Sequence, residues 1–276
     1  MDVAVVIPVG SVDDALRRQL AAVVSQTGVV LREVVLSVNT ATPEVVAAVA
    51  SAVDECNDKR VCIVDSAAVR GAAHARNVGA AATTSAAIAF CDADDLVHDG
   101  WLAALVGGLT GFDAVSGAVV DVFPDQRIAH WYPAATSGSL RTFLGRPYLL
   151  SGNLAIRRAA FVAVGGFDEN LTRCEDIAIS WALLRSGHSI GHVDAAVVDY
   201  RHRSGVLAML RQHYSYGRGM SEVLRAFGTP PVVGREGSAR LGILRPNNQH
   251  VSRTSVGGVL RRGSIAIGRL RGLVRW

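Results

Sequence analysis

Short apolar runs alternate with amphipathic stretches along the first hundred residues of the chain. The apolar runs are rich in β-branched residues, which is typical of strands that are buried on both faces. We expect such strands at residues 3–9, 33–38, 60–65 and 86–91. The stretches between them predict helices at residues 11–24, 43–53 and 72–82, with Ser11 capping the first and Pro43 opening the second. This alternation indicates an α/β fold with a parallel sheet wrapped by helices.

The pattern is less regular after residue 110. Strand-like segments occur at residues 114–123, 149–156 and 193–200, and helical segments at 158–164, 174–186 and 207–227. Residues 130–146 are rich in aromatic side chains and are expected to form a loop. The run Gly228-Thr229-Pro230-Pro231 is typical of a boundary, so we divide the chain into a domain at 1–228 and a tail at 229–276.

Composition places the chain among globular proteins. Half of its 276 residues are hydrophobic and 19% are charged, and no apolar run reaches the ~18 residues of a membrane-spanning helix. The first residues lack the basic region of a signal peptide, and the four cysteines form no CxxC pair. These features predict a cytoplasmic protein with reduced thiols.

Charge is distributed unevenly between the domain and the tail. Residues 1–234 carry 19 basic and 23 acidic groups, whereas the remainder carries nine arginines and one acid, Glu236. Residues 254–276 place apolar side chains at helical intervals among those arginines, as an amphipathic helix on an anionic membrane would. The five glycines of this segment argue against a stable helix in water. Folding on a membrane and disorder therefore both stay open. Nucleic-acid binding is the other reading of a basic tail, and nothing in the domain supports it.

Three aspartates follow the fourth predicted strand, at positions 92, 94 and 95. Carboxylates this close repel one another, so a cation between them is favoured. Mg²⁺ and Mn²⁺ prefer oxygen ligands and also bind phosphate, which points to a diphosphate-bearing substrate. A solvated Asp-rich turn is the alternative. Because ligands of parallel α/β sheets bind at the carboxyl ends of strands, where Pro8, Asn39 and Asp65 also lie, the location favours a site.

Four landmarks occur in order along the chain. They are VVIPV at 5–9, G-x-x-x-A-R-N-x-G at 71–79, F-C-D-A-D-D at 90–95, and G-G-F-D-E at 165–169 followed by E-D at 175–176. With them, residues 3–228 resemble the inverting family 2 glycosyltransferases of the GT-A fold. The resemblance implies a nucleotide-sugar-binding half at 1–110 and an acceptor-binding half at 111–228. It also implies an enzyme that transfers a sugar from a nucleotide donor to a hydroxyl acceptor, in cell-envelope, polysaccharide or glycolipid synthesis.

The resemblance assigns roles to individual residues. Asp92 and Asp94 match the metal-binding D-x-D pair, with Asp92 also a candidate for the ribose, and His202 lies where some relatives place a histidine near the metal. Asp95 is either part of this site or the cap of a helix starting at Leu96. Asp176 matches the general base, with Glu175 as the substitute candidate. Pro8, Asn39, Gly71, Arg76 and Asn77 are the remaining candidates for nucleotide binding.

One position departs from the family pattern. Asn39 stands where an aspartate is common in the turn that reads the base, so UDP is the default nucleotide while dTDP and GDP stay open. Trp101, Trp131 and Trp181 are candidates either for stacking on sugars or for the core. Two other functions are considered: a nucleotidyltransferase, and a relative that binds glycans without catalysis. The nucleotidyltransferase is disfavoured because residues 9–14 carry two acids where triphosphate binding needs a basic, glycine-rich loop.

Overall fold

The computed structural model describes residues 1–132, 138–228 and 256–274. Its strands are β1 (Asp2–Val9), β2 (Val30–Val38), β3 (Val61–Asp65), β4 (Ala87–Cys91), β5 (Leu96–Val97), β6 (Ala114–Val122), β7 (Arg141–Phe143), β8 (Arg146–Tyr148), β9 (Asn153–Arg157) and β10 (Ile190–Arg201). Its helices are α1 (Ala15–Val24), α2 (Pro43–Cys56), α3 (Ala72–Ala81), α4 (Trp101–Gly108), α5 (Gln126–Ala129), α6 (Arg158–Ala163), α7 (Glu175–Arg185), α8 (Val206–Phe227) and α9 (Val256–Val274).

Within the described residues, eight strands form one sheet in the order β3-β2-β1-β4-β9-β6-β10-β5. The pairs among β1 to β4 are parallel, as the sequence predicts, and Val3, Ala4, Val5, Val6 and Ile7 have no exposed surface. The β1–β2 and β2–β3 pairs end in register at Val9, Val38 and Asp65. The carboxyl ends of these strands therefore meet at one edge of the sheet, which confirms the α/β fold class.

The second half departs from a simple parallel sheet. Strand β9 lies between β4 and β6 and is antiparallel to both, and the two-residue β5 pairs antiparallel with β10. The expected strand at 149–156 begins only at Asn153, because Ser151 and Gly152 form a turn before it. The expected loop at 130–146 contains β7 and the start of β8, and its residues 133–137 lie outside the described residues.

The start of α1 corrects one prediction. The helix begins at Ala15, so Ser11 is not its cap. The side chain of Asp13 takes that role in part, since its Oδ1 accepts a hydrogen bond from the Ala15 amide at 2.8 Å. The other carboxylate oxygen of Asp13 pairs with Arg201 at 3.0 Å.

Two of the three tryptophans considered for sugar binding are core residues. Trp101 and Trp181 are fully buried, so neither ring presents a face to a sugar. The Trp101 indole donates to Asn153 Oδ1 at 2.9 Å, and Phe143 stacks on Trp181 at a centroid distance of 5.7 Å. Trp131 is half-buried beside His130. Packing is therefore the role of Trp101 and Trp181.

Helix α9 packs on α8 through glycines. A Cβ on Gly217 of α8 would collide with the Ile265 carbonyl, and one on Gly268 of α9 would collide with the Tyr214 carbonyl. A Cβ on Gly272 would lie 2.8 Å from the Cβ of Ser221. These glycines let the two backbones approach closely. Gly268 and Gly272, which were expected to weaken a helix in water, therefore support the packing of α9 on α8.

The C-terminal tail is described only in part. Residues 229–255 and 275–276 lie outside the described residues. The domain boundary expected at Gly228 therefore stays a prediction. No helix among residues 1–132, 138–228 and 256–274 has the length and apolar content needed to cross a bilayer.

A pair of glycine variants tests this packing. Gly268→Ala should loosen α9 and lower the melting temperature, because the new methyl group meets the backbone of α8. Gly263→Ala, on the same helix, meets nothing within 4 Å and should leave stability equal or raise it by up to about 1 kcal/mol through helix propensity. Differential scanning calorimetry and limited proteolysis measure both. Equal effects of the two substitutions would contradict the glycine contact.

Candidate active site

The turn that carries the three aspartates is fixed from below by a buried glutamine. Gln19 of α1 donates from Nε2 to the carbonyl of Asp92 at 3.0 Å and accepts from the amide of Val97 at 3.0 Å. These two bonds hold both ends of the turn between β4 and β5. Gln19 was not among the predicted site residues, although a polar residue inside an apolar helical face is a signal for such a role.

Arg76 joins the two acidic parts of the site. Its side chain is only 3% exposed, and its guanidinium contacts Asp92 Oδ1 at 2.6 Å and Glu175 Oε1 at 2.8 Å. Burial lowers the pKa of Arg76, but the neighbouring Asp92 and Glu175 outweigh it, so the pKa is raised and the group stays charged. The arginine predicted to touch phosphate or ribose thus lies between the D-x-D turn and the E-D pair.

Among the described residues, no cationic side chain forms an ion pair with Asp94 or Asp95. Burial and the charge of Asp92 raise the pKa of Asp94, and the same two causes raise the pKa of Asp95 to about 9. The charge of Arg203 acts weakly to lower the pKa of Asp94. Asp95 Oδ1 accepts from the amide of Arg201 at 3.1 Å, and the residues after it form β5. The alternative that Asp95 caps a helix is therefore wrong, and its carboxyl group lies inside the site.

The close approach of Gly152 keeps room beside these carboxylates. A Cβ at Gly152 would lie 2.8 Å from Asp92 Oδ2 and 3.6 Å from Asp95 Oδ2. Asp94 and Asp95 also line a cleft of about 270 Å³ together with residues that include Arg18 and Arg201. The turn therefore opens onto a space that a ligand can enter.

The donor chemistry of the turn fits a divalent cation. Asp92, Asp94 and Asp95 supply hard carboxylate oxygens, and burial together with the charge of Asp92 raises the pKa of Asp94 and of Asp95, so a bound cation would favour their ionised forms. The described residues do not, however, contain three His, Cys, Asp or Glu side chains already gathered around one point. The residues thus fit a cation in chemistry, and ligands from the donor would complete its shell.

His202 is near this turn but has a carboxylate partner of its own. Its Nε2 lies 2.8 Å from Asp121 Oδ1, its ring stacks on Phe123 at 4.3 Å, and Tyr132 lies 4.3 Å away. Asp121 was not predicted, because only the register of β6 with β10, which pairs it with Tyr200, brings it here. Metal binding by His202 through Nε2 would require the contact with Asp121 to open.

Glu175 and Asp176 open α7 on the other side of Arg76. Cys174, before them, has φ +65°, which turns the chain sharply into the helix. Burial and the charge of Glu175 raise the pKa of Asp176 to about 7, although the Ile177 amide donates to its Oδ1 at 2.8 Å. A carboxylate with a pKa near 7 is suited to accept a proton at neutral pH. The pKa of Tyr148, near Asp176, is raised by burial to about 12.

Asn77 connects two of the sequence landmarks. Its amide group donates to the Phe167 carbonyl at 2.8 Å and to Glu169 Oε1 at 2.7 Å, and its Oδ1 accepts from the Phe167 amide at 2.9 Å. A Cβ at Gly166 would lie 2.7 Å from Asn77 Oδ1. In the structure Asn77 holds the G-G-F-D-E turn, and all the contacts recorded for its side chain go to that turn.

Asn39 similarly holds the loop after β3. Its Nδ2 donates to the Ser66 carbonyl and, at 2.8 Å, to the Val69 carbonyl, and its Oδ1 accepts from the Gly71 amide at 2.8 Å. Gly71 has φ +148°, which favours glycine, and leads directly into α3. Pro8 lies beside Ser37 at the same sheet edge. A bond from Asn39 to a base would require one of these loop contacts to open.

Comparison with known proteins bears on this arrangement. The sequence model of Glycosyl transferase family 2 matches residues 4–165. A Pre-mycofactocin glycosyltransferase of Mycobacterium tuberculosis is 28% identical over 158 residues, which are 54% of this chain and 34% of that protein. Succinoglycan biosynthesis protein ExoA of Rhizobium meliloti is 33% identical over 67 residues, covering 24% of this chain and 20% of that protein. The chain spans about a third of the length of the mycobacterial relative.

Solved structures share the fold. Mannosyltransferase PcManGT from Pyrobaculum calidifontis, in complex with GDP-Man and Mn²⁺, has a TM-score of 0.63 and 21% identity over 83% of this chain and 66% of its own. GalNAc-T7 with UDP, GalNAc and Mn²⁺ has a TM-score of 0.61 and 17% identity over 84% and 52%. S. aureus TarS with UDP-GlcNAc has a TM-score of 0.59 and 15% identity over 81% and 72%. The sheet and its helices are thus those of GT-A glycosyltransferases.

Proposed function

Since the chain belongs to glycosyl transferase family 2, we propose that it transfers a sugar from a nucleoside diphosphate donor to a hydroxyl acceptor, with inversion at the anomeric carbon. The donor side is the turn carrying Asp92, Asp94 and Asp95, and the acceptor side is the Glu175–Asp176 pair. Mn²⁺ or Mg²⁺ is the expected cofactor, held by Asp92 and Asp94. His202 is a further candidate ligand if it leaves Asp121.

One observation carries this proposal: two acidic groups are held on either side of the buried Arg76. Arg76 contacts Asp92 on the donor side and Glu175 on the acceptor side. On the donor side, burial and the charge of Asp92 raise the pKa of Asp94, and the acceptor side contains a carboxylate, Asp176, whose pKa is about 7. A cation-binding group next to a base is the combination that sugar transfer from a diphosphate requires.

The residues divide the reaction between them. When bound, the divalent cation neutralises the charge that develops on the leaving diphosphate. The acceptor oxygen attacks the anomeric carbon as the bond from that carbon to the diphosphate oxygen breaks, and the leaving group takes the bonding electron pair. The Asp176 carboxylate takes the acceptor proton. The charge of Glu175, which contacts Arg76, adds to burial in raising the pKa of Asp176.

The donor and the acceptor are proposed only as chemical classes. UDP stays the default nucleotide, and GDP is supported by one structural neighbour that was solved with GDP-Man. The acceptor is proposed to be a hydroxyl of a glycan, a glycolipid or an envelope polymer. A glycolipid or envelope acceptor would place the protein at a membrane surface, where the basic tail would contact lipid.

Ligand-dependent melting tests the donor side. UDP, GDP and dTDP are each added with and without Mn²⁺, and the melting temperature is read by scanning fluorimetry. One nucleotide with Mn²⁺ at about 100 times its Kd should raise the melting temperature by roughly 5–10 °C, because a ligand that binds only the folded state stabilises it. The same shift should appear in Asp54→Asn, which changes an exposed acid on α2 far from the turn. The absence of any nucleotide- and Mn²⁺-dependent shift would refute the proposal.

Two rival functions make different predictions. A nucleotidyltransferase would hold triphosphate in the loop after β1, where Asp13 instead pairs with Arg201 and no basic side chain belongs to residues 9–14. A glycan-binding relative without catalysis would leave the donor intact. Mn²⁺-dependent hydrolysis of the donor in the absence of acceptor separates the enzyme from that relative.

A further inference from the structure

Helix α9 exposes its aliphatic face and packs its small and polar side against the body. Gly268, Gly272 and Arg261 of this helix face the body, where the Arg261 guanidinium lies 5.6 Å from the centre of the Tyr132 ring. Its large aliphatic side chains face away from α8 and are exposed, namely Val259, Leu260, Ile267, Leu270 and Leu273. An amphipathic helix on a globular body normally buries its aliphatic face, so this exposed row requires another partner.

The exposed row has a defined shape and charge. At about 100° per residue its five side chains span an arc of roughly 140°, and the helix is about 28 Å long. The exposed Arg262 lies at one edge of this arc and the exposed Arg271 at the other. No Asp or Glu occurs between residue 237 and residue 276. The partner must therefore be apolar in the middle and negative at both edges.

We propose that this outward face of α9 docks on the surface of an anionic lipid bilayer. The aliphatic row would enter the boundary between headgroups and acyl chains, and Arg262 and Arg271 would contact lipid phosphates. A second copy of the chain fits less well, because α9 offers no acid to pair with the arginines of a partner helix. Nucleic acid would use the arginines but would leave the aliphatic row uncovered.

Helix α9 is already folded on α8, unlike a peptide that becomes helical only on lipid. Gly217, Gly268 and Gly272 hold the helix on α8 before any membrane is met. The aliphatic row is therefore presented in a fixed direction relative to the sheet, and little ordering entropy opposes binding. This inference does not depend on sugar transfer, so it stands or fails separately from the proposed function.

Vesicle sedimentation with the full chain tests the proposal. We expect binding to phosphatidylcholine vesicles that contain phosphatidylglycerol, weak binding to vesicles of phosphatidylcholine alone, and a marked loss between about 0.1 and 0.5 M NaCl. The double substitution Ile267→Ser and Leu270→Ser should reduce binding about tenfold or more, because both side chains, 56% and 63% exposed, would leave the lipid. Val162→Ser, which changes a 65% exposed valine on α6, is the matched control and should bind as the parent does.

The outcomes divide cleanly. Loss of anionic-vesicle binding in the double variant, with an unchanged melting temperature, supports the proposal. No binding to anionic vesicles, or equal binding by the double variant and the parent, overturns it. A dimer detected by analytical ultracentrifugation that disappears in the double variant, without vesicle binding, would assign the face to a second copy. Salt-sensitive binding to an oligonucleotide with no vesicle binding would assign the arginines to nucleic acid.

Discussion

Asp176→Asn is expected to lower sugar transfer by roughly 10²–10⁴-fold, the range that removal of a general base produces. The substitution keeps the shape of the side chain, and its Oδ1 still accepts from the Ile177 amide, but an amide does not take the proton of the acceptor hydroxyl. Transfer by the parent protein should rise with pH and level off above about pH 7, since the pKa of Asp176 is about 7. Initial rates across that pH range measure both effects.

The fold of the Asp176→Asn protein should survive. Burial raises the pKa of Asp176 above its ordinary value of 3.8, so ionisation of this group in the folded state destabilises the protein as the pH rises from about 4 to about 7, and that penalty persists above pH 7. Removing the carboxylate removes the penalty, and the melting temperature at pH 8 should be equal or higher. Nucleotide with Mn²⁺ should still stabilise the variant. Normal transfer by a folded Asp176→Asn protein would remove Asp176 from the role of base.

Asp94→Ala is expected to abolish transfer by a different route. Burial and the charge of Asp92 raise the pKa of Asp94, and its loss would remove one of the two oxygen ligands proposed for the cation. The variant should lose both the Mn²⁺-dependent stabilisation by nucleotide and the transfer reaction, with a fall in rate of several powers of ten. Titration of Mn²⁺ against transfer rate, together with scanning fluorimetry, measures the change.

The two substitutions together separate the halves of the site. Asp94→Ala should lose nucleotide binding with Mn²⁺, whereas Asp176→Asn should retain it, although both lose transfer. Asp54→Ala, on the exposed face of α2, is the acidic control and should change neither property. Retained Mn²⁺-dependent nucleotide binding in the Asp94→Ala protein would place the cation elsewhere.

The sequence predicted the elements whose pattern lies within one short stretch of the chain. Strands β1 and β4 were predicted because each is buried on both faces and therefore appears in the sequence as a continuous apolar run. Strand β9 was only partly predicted, and its antiparallel place between β4 and β6 depends on contacts distant in sequence. The partnership of His202 with Asp121 was missed for the same reason, since register between β6 and β10 creates it.

The tail shows how a propensity can mislead. Glycine lowers the stability of an isolated helix, so a glycine-rich segment is expected to be unstable in water. In α9 two of those glycines, Gly268 and Gly272, face α8, where any larger residue would collide with its backbone or with Ser221. Val259, Leu260, Ile267 and Leu270, which were expected at helical intervals, lie on the exposed face of α9. The contact with α8, and not the local sequence, decides which face points outward.

The buried guanidinium of Arg76 couples the charge around Asp92 to the ionisation of Asp176. Arg76 contacts Asp92 and Glu175, and its charge also lowers the pKa of Asp176. A cation that binds beside Asp92 adds positive potential to the same network and so favours the ionised form of Asp176. Because such coupling is reciprocal, proton loss from the base also strengthens cation binding. Under the proposed function, binding of the cation and deprotonation of Asp176 would therefore favour each other.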